Sequence, residues 1–187
     1  MKLLCLGDSN TYGFDPASSL GSRYPDSTRW TELIEKWDVI NCGMNGLTVP
    51  GDSEVWANLI ENRRPDLVCV MLGSNDLLEL RSAEETVNRM RVFLCGILRT
   101  GSPVLLVAPP PLRTGTWVRH DSLIQESLKL CRMYKKLAGQ LKIDFADADE
   151  WNVELAFDGV HFTEAGHLAF ARGLNRHLDE KYERERD

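Results

Sequence analysis

The stretch Met1–Asn10, MKLLCLGDSN, decides the fold class. Its apolar run, Leu3–Leu6, has the length of a buried β-strand and is too short for a helix. Gly7 and Asp8 end this run before it could serve as the apolar core of a secretory signal, which needs roughly 7–15 residues. We therefore predict a first strand whose carboxyl end presents Ser9.

Four further runs of this kind follow, and segments with an apolar residue every three or four positions separate them. The predicted strands are Leu3–Leu6, Val39–Cys42, Leu67–Leu72, Val104–Ala108 and Ile143–Ala146. The predicted helices are Thr28–Trp37, Asp52–Asn62, Ala83–Arg99, Ser122–Leu141 and Thr163 to about Tyr182. Alternation of short buried strands with helices predicts right-handed crossovers and an α/β fold, with a doubly wound parallel sheet of five strands.

Size and charge limit the kinds of protein that this chain can be. We expect its 187 residues to form a single domain, residues 1–187, because two halves would each approach the lower size limit for an independent core. A formal net charge of −6 does not provide the basic surface that nucleic acid requires. No apolar run approaches the ~20 residues of a membrane-spanning helix. We expect neither a nucleic-acid partner nor a membrane span.

The cysteines and the motif content argue against a cofactor. The five cysteines are scattered, with no Cys-x-x-Cys pair and no histidine at metal-ligand spacing. Most lie in apolar runs, as Cys69 does, so we interpret them as small buried side chains in a reducing compartment. The G-x-S-x-G, Walker A, G-x-G-x-x-G and H-E-x-x-H motifs are all missing from the sequence. We expect a cytoplasmic protein with no metal and no cofactor.

Four groups of polar residues follow predicted strands, at the edge where open α/β sheets build their sites. A Gly-Asp-Ser triplet ends at Ser9, whose hydroxyl could act as a nucleophile. The glycine-containing block 41–46 and Asn75 offer backbone and side-chain N–H donors. Asp158 and His161 are three residues apart, so the carboxylate could orient an imidazole base. Each pattern alone is also typical of a turn, but their shared edge predicts one site for nucleophilic catalysis.

These four blocks, in this order, resemble the SGNH or GDSL-type hydrolase superfamily of esterases and lipases over nearly the whole chain. The stretches most similar to small bacterial arylesterases that can also act as acyltransferases are residues 29–31, 70–73, 107–112 and 158–163. The resemblance implies a three-layer, flavodoxin-like α/β sandwich.

The resemblance also implies roles for individual residues. Ser9 would be the nucleophile, His161 the base and Asp158 the residue that orients the base. The oxyanion hole would combine the backbone N–H groups of Ser9 and Gly46 with the side chain of Asn75.

The pocket around the serine is less defined. Asn10 stands where many relatives carry Leu or Ile, which predicts a more polar wall beside the nucleophile. The irregular segments Thr11–Asp26 and Pro109–Arg119 follow strand ends and are candidate walls or lids. The candidate pocket side chains are Asn10, Tyr12, Leu112 and Trp117. Phe14 and Trp30 also lie near these segments, and for all the large side chains a place in the core is an equal alternative to the pocket.

We expect a serine esterase that hydrolyses carboxylic esters of small or mid-sized acyl groups through an acyl-enzyme, with acyl transfer to alcohols as a second outcome. The same machinery would serve a carbohydrate O-deacetylase, a lysophospholipase or a thioesterase. A catalytically silent flavodoxin-like binding module is the non-enzymatic alternative. The expected partner is a small-molecule ester. A homo-oligomer that roofs the site with a neighbour's Thr11–Asp26 segment is left open, since no residue demands it.

Overall fold

Within the residues that the structure describes, five parallel strands form the central sheet. The computed structural model describes residues 1–18 and 21–183. The strands are β1 (Lys2–Gly7), β2 (Asp38–Gly43), β3 (Leu67–Met71), β4 (Val104–Ala108) and β5 (Asp144–Asp147). Their order in the sheet is β2-β1-β3-β4-β5, and each neighbouring pair is parallel. The predicted α/β fold is confirmed, and this strand order is the flavodoxin-like one.

The sheet has a hydrophobic core on each face. Successive residues of a strand point to opposite faces, so Leu4 and Leu6 enter one core while Leu3 and Cys5 enter the other. Because both faces are covered, β1 is apolar from Leu3 to Leu6 and does not alternate with polar residues. This double burial produces the three layers.

In the described residues, six α-helices accompany the strands. They are α1 (Ser9–Tyr12), α2 (Glu54–Arg63), α3 (Ser74–Leu78), α4 (Ala83–Ile97), α5 (Asp121–Leu141) and α6 (Glu164–Leu178). Side chains of α2, α4 and α5 share one core, whereas α6 shares the other with Trp30 and Trp37. A π-helical turn, Asp179–Glu183, extends α6 to the end of its predicted range.

The predicted helix Thr28–Trp37 is wrong. That segment contains a single short 3-10 helix, Trp30–Leu33, and Lys36 has a φ of 62° that an α-helix does not allow. The side chain of Asn175 donates to the Leu33 carbonyl at 3.0 Å and accepts from the Glu35 N–H at 2.9 Å. A side chain of α6 therefore forms hydrogen bonds with a carbonyl and an N–H group that, in an α-helix, would be bonded to other residues of that helix. The apolar spacing reflects burial against α6.

Within residues 1–18 and 21–183, no helix combines the length and the apolar content that crossing a bilayer requires.

Candidate active site

Ser9 opens α1 directly after β1, at the carboxyl edge of the sheet. The Asp8 carboxylate caps this helix by accepting from the Asn10 N–H at 2.9 Å. Gly43, the last residue of β2, allows α1 to lie close to the sheet, because a Cβ there would stand 2.1 Å from the Tyr12 nitrogen. These contacts fix the backbone that carries the Ser9 hydroxyl.

A continuous chain of hydrogen bonds joins Ser9, His161 and Asp158. The Ser9 Oγ lies 2.9 Å from His161 Nε2, and His161 Nδ1 lies 2.6 Å from Asp158 Oδ2. The other carboxylate oxygen accepts from the N–H groups of Val160 and His161, each at 2.9 Å. All three side chains are buried. The structure thus brings together a hydroxyl and an imidazole that are 152 residues apart in sequence.

The surroundings of Asp158 favour its ionised form. Burial raises the pKa of its carboxyl group, but hydrogen bonds from the His161 ring and from the N–H groups of His161 and Val160 outweigh burial and lower that pKa. An ionised Asp158 accepts a hydrogen bond from the Nδ1–H group of His161. The proton is then on Nδ1, and Nε2 is free to accept a hydrogen bond from the Ser9 hydroxyl. The arrangement is therefore suited to removing a proton from Ser9.

Asp8 is a second buried carboxyl group beside the site. Burial raises its pKa to about 6, although the Asn10 N–H and the nearby His161 act in the opposite direction. Its hydrogen bond caps α1, so its contact is with the backbone that carries Ser9 and not with the reacting hydroxyl.

Gly46 and Asn75 lie on two linked segments at the same edge. The Met44 N–H donates to the Gly7 carbonyl at 3.0 Å, which ties the loop after β2 to the end of β1. Asn75, in α3, donates from Nδ2 to the Leu47 carbonyl at 3.1 Å. Gly46, between these two contacts, has a φ of 72°, a conformation that glycine adopts without strain. Helix α3 therefore holds the loop that carries Gly46.

Two backbone N–H groups at this edge are available to a ligand. In the described part of the chain, no acceptor for the N–H of Ser9 or of Gly46 is found. The side-chain amide of Asn75 has a second N–H besides the one given to Leu47. These are the three donors predicted from the sequence for an oxyanion hole.

Asp76 supports this loop and was not among the predicted site residues. Its buried carboxylate accepts from the Val49 N–H at 2.8 Å and lies 3.5 Å from both Arg81 and Arg89. Burial raises the pKa of the Asp76 carboxyl group. The hydrogen bond from Val49 and the two guanidinium groups lower this pKa, but burial outweighs them. The signal in the sequence was the acid next to Asn75, at the end of a buried strand.

Two aromatic rings flank His161. The Phe14 ring centroid lies 4.7 Å and the Trp117 centroid 5.1 Å from that of the imidazole. Trp117 is 55% exposed, so part of it is accessible to solvent beside His161. Phe14 lies in the predicted wall segment 11–26 and is one of the large side chains for which a pocket and a core position were equal alternatives; residues 19 and 20 of that segment lie outside the described residues.

The other three predicted pocket side chains are packed in the core or contact other groups of the protein. Leu112 is 2% exposed within the core that α4 and α5 share. Tyr12 lies under the guanidinium of Arg23, which is 4.6 Å from the ring centroid. Asn10 is buried, and its amide contacts the main chain of residues 160–162.

The segment Pro109–Arg119 is bonded to the segment that carries Asp158. The N–H groups of Arg113, Thr116 and Trp117 donate to the carbonyls of Gly159, Phe157 and Asp158, at 3.0, 3.1 and 3.2 Å. These bonds place Trp117 against His161 and make the segment a fixed wall of the site.

In the part of the chain that the structure describes, no group of three or more side chains is arranged to hold a metal ion.

Comparisons with known proteins agree on one family. The profile of the GDSL-like lipase/acylhydrolase family matches residues 5–169. A search of curated proteins found no match. Many solved structures are similar to this chain, among them three that match over nearly their whole length. A protein of Agrobacterium tumefaciens C58, provisionally described as an arylesterase, is 29% identical with a TM-score of 0.83, and the match covers 96% of this chain and 99% of that one.

The other two structures are named esterases. The inhibitor-bound aryl esterase of M. smegmatis is 26% identical with a TM-score of 0.85, and the match covers 96% of this chain and 98% of that one. A carbohydrate acetylesterase of Sinorhizobium meliloti is 25% identical with a TM-score of 0.83, and the match covers 97% and 99%.

Proposed function

Because the chain belongs to the GDSL-like lipase/acylhydrolase family and is thus an ester-bond hydrolase, we propose that it cleaves esters through an acyl-enzyme formed on Ser9. The observation that carries this proposal is the hydrogen-bonded chain from Ser9 through His161 to Asp158, with distances of 2.9 and 2.6 Å. It is the arrangement that activates a serine hydroxyl as a nucleophile.

In the first half-reaction, Ser9 Oγ attacks the ester carbonyl carbon while its proton passes to His161 Nε2. The carbonyl oxygen becomes an oxyanion that accepts from the N–H groups of Ser9 and Gly46 and from the Asn75 amide. Asp158 stabilises the imidazolium. Collapse of the tetrahedral intermediate breaks the bond to the alcohol oxygen, which leaves with the proton from His161.

In the second half-reaction, water replaces the alcohol. His161 takes a proton from the water as its oxygen attacks the acyl carbon, and Ser9 regains its proton when the acid leaves. An alcohol in place of the water would give acyl transfer by the same steps, since it presents the same O–H group.

The aromatic pair beside His161 bears on the substrate. The leaving alcohol must be within reach of His161 Nε2 to receive its proton, so the alcohol portion of the ester lies on the side of Phe14 and Trp117. Such rings suit apolar or ring-shaped alcohols. We therefore propose phenolic and other small esters with short or mid-sized acyl groups as substrates.

An acetylated carbohydrate is the second candidate substrate. The half-exposed Trp117 ring could stack on a sugar as well as on a phenol. The similarity to a carbohydrate acetylesterase of S. meliloti supports this candidate. A panel of acetyl, butyryl and octanoyl phenyl esters, acetylated sugars, lysophospholipid and acyl-CoA would rank these classes by kcat/KM.

The location of the enzyme is a further part of the proposal. All five cysteines are free, and Cys95 is exposed, which suits a reducing compartment and supports a cytoplasmic enzyme.

The Ser9→Ala variant tests the proposed chemistry. We expect it to fold and to lose nearly all hydrolysis of an activated acetate ester, together with labelling by a fluorophosphonate probe. Ser122→Ala, at an exposed position, is the control and should keep both. Hydrolysis by Ser9→Ala at the wild-type rate would overturn the assignment of the nucleophile.

A further inference from the structure

We propose that Asn10 is a positioning residue, whose side-chain amide holds the main chain on both sides of His161 and thereby sets the distance between His161 and Ser9. The inference rests on the function proposed above for those two residues. It gives Asn10 a part in the reaction that involves no contact with the substrate.

The amide of Asn10 bonds the two sequence neighbours of His161. Its Nδ2 donates to the Val160 carbonyl at 3.1 Å, and its Oδ1 accepts from the Phe162 N–H at 2.9 Å. In the described part of the chain, these two main-chain groups have no other hydrogen-bond partner. The side chain therefore pairs with the backbone much as a neighbouring strand would, with His161 in the middle.

Asn10 is itself held firmly. Its N–H donates to Asp8, and its carbonyl accepts from the indole N–H of Trp30 at 2.9 Å. The residue is 4% exposed, and the Trp30 side chain that bonds it is buried in the core. A side chain anchored in this way can transmit the position of α1 to the segment that it contacts.

The path through Asn10 is a short, hydrogen-bonded connection between the two reacting groups. Ser9 is its covalent neighbour on one side, while on the other side its amide reaches the residues adjoining His161. A second short connection runs through Phe14, whose N–H donates to the Ser9 carbonyl at 2.9 Å and whose ring centroid lies 4.7 Å from that of His161. Unlike that ring contact, the Asn10 amide bonds the main chain on both sides of His161. Because misplacement by about 1 Å can cost on the order of 10²-fold in rate, loosening this connection should slow proton transfer from Ser9.

The chain contains a matched control in Asn175. Its amide makes the same pair of bonds to the main chain around Ile34, donating to Leu33 and accepting from Glu35. It stands 11 residues after Glu164, the first residue of α6, which is roughly 16 Å along the helix axis. A change at Asn175 therefore removes equivalent hydrogen bonds at a distance from His161.

The test compares Asn10→Asp with Asn175→Asp. Each variant keeps the size of the side chain and the acceptor oxygen but loses the donated N–H. A fluorophosphonate probe forms a bond between Ser9 Oγ and phosphorus, releases fluoride and passes the serine proton to His161. The maximal rate of labelling therefore measures how reactive the Ser9 hydroxyl is. The probe concentration that gives half of this rate measures how well the probe binds.

For Asn10→Asp we expect the maximal rate of labelling and the kcat for an acetate ester to fall about 10- to 100-fold, with half-saturation changed less than about threefold. Asn175→Asp should lose comparable thermal stability but keep the maximal rate within about twofold. Asn10→Leu removes both bonds and should be slower still; if it does not fold, Asn10→Asp decides.

Equal labelling rates in wild type and folded Asn10→Asp, or an equal loss in Asn175→Asp, would overturn the inference. A crystal structure of Asn10→Asp judges the placement without any chemistry: we expect the Ser9–His161 distance to exceed about 3.5 Å, the limit of a hydrogen bond. An unchanged distance would contradict the inference. Failure of the wild-type enzyme to be labelled at Ser9 would instead overturn the proposed function, and the crystal structure would still judge Asn10.

Discussion

At the scale of a single residue, Asn75 has two roles: it supports the loop of Gly46, and in the proposed mechanism it takes part in the reaction. One N–H of its amide bonds the Leu47 carbonyl, and the other is available for an oxyanion. The same side chain therefore fixes the loop of Gly46 and, in the proposed mechanism, contributes a donor beside it. Because that bond exists without a ligand, the donor is oriented before the reaction begins, which is what makes such a group effective.

Asn75→Ala should lower the kcat for an acetate ester by about 10²- to 10³-fold, with a smaller change in KM, because the amide stabilises charge that develops in the transition state. Steady-state kinetics would measure both constants. Asn88→Ala, an exposed change on α4, is the control. A kcat within about twofold of wild type would remove Asn75 from the proposed oxyanion hole.

The sequence predicted the residues of the site better than their contacts. Ser9, Asp158 and His161 could be predicted to share an edge, because the carboxyl ends of parallel strands meet there. Asn10 was predicted to face the pocket, but its amide bonds groups 150 and 152 residues away. No local pattern reports such a contact. Phe14 was a candidate for the pocket, but its contact with the His161 ring was not predicted for the same reason.

At the scale of elements, the strands were predicted well and one helix was not. Short buried runs such as Leu67–Leu72 have few alternatives, and the strands lie within one residue of the predicted ends. In Thr28–Trp37 the apolar spacing suits a helix, but Trp30 and Trp37 are buried in the core that α6 shares, and the segment is helical only over the 3-10 helix Trp30–Leu33. Tertiary contacts, led by those of Asn175, override the local pattern there.

Helix α6 also contains a buried histidine that the proposed mechanism does not use. His167 accepts from the Trp30 N–H at 3.3 Å through Nδ1, and its Nε2 has no partner in the described part of the chain. Burial, with a smaller effect of Arg29, lowers its pKa from 6.5 to about 4. The folded protein therefore holds this imidazole neutral where the unfolded chain would protonate it.

This difference predicts how stability depends on pH. Between about pH 4 and 6.5 the unfolded state binds more protons, so His167 makes the free energy of unfolding rise with pH in that window, by on the order of 3 kcal/mol. His167→Gln should flatten the rise, as measured by urea unfolding across the window. An unchanged slope would contradict the assignment to His167.

Asp8 makes the free energy of unfolding depend on pH in the direction opposite to His167. Its pKa is raised from 3.8 to about 6, so the folded state binds the additional proton and the contribution of Asp8 to stability falls as pH rises through that range. Asp8→Asn, which can still cap α1, should therefore steepen the rise that His167→Gln flattens.

At the scale of the whole molecule, the two hydrophobic cores lie on opposite faces of one sheet and share its strands. Strand β1 contributes Leu4 and Leu6 to one and Leu3 and Cys5 to the other, so neither core can be lost without exposing the same strand. We propose on this basis that residues 1–187 form a single cooperative domain. The site spans that domain, from Ser9 after the first strand to His161 beyond the last.

Unfolding in urea should therefore show one transition. Far-ultraviolet circular dichroism and tryptophan fluorescence should give coincident curves, because Trp56 packs against one core while Trp30 and Trp37 lie in the other. Two separated transitions would indicate that the faces unfold independently and would contradict the single domain.

The most direct test of the central claim is to trap the acyl group. The enzyme would be mixed with an activated acetate ester, quenched in acid within one turnover, digested and analysed by mass spectrometry. We predict an acetyl group on Ser9, absent from a His161→Ala variant because that variant lacks the base. Undiminished turnover with no acetyl group on Ser9, or with the group on another residue, would contradict the account.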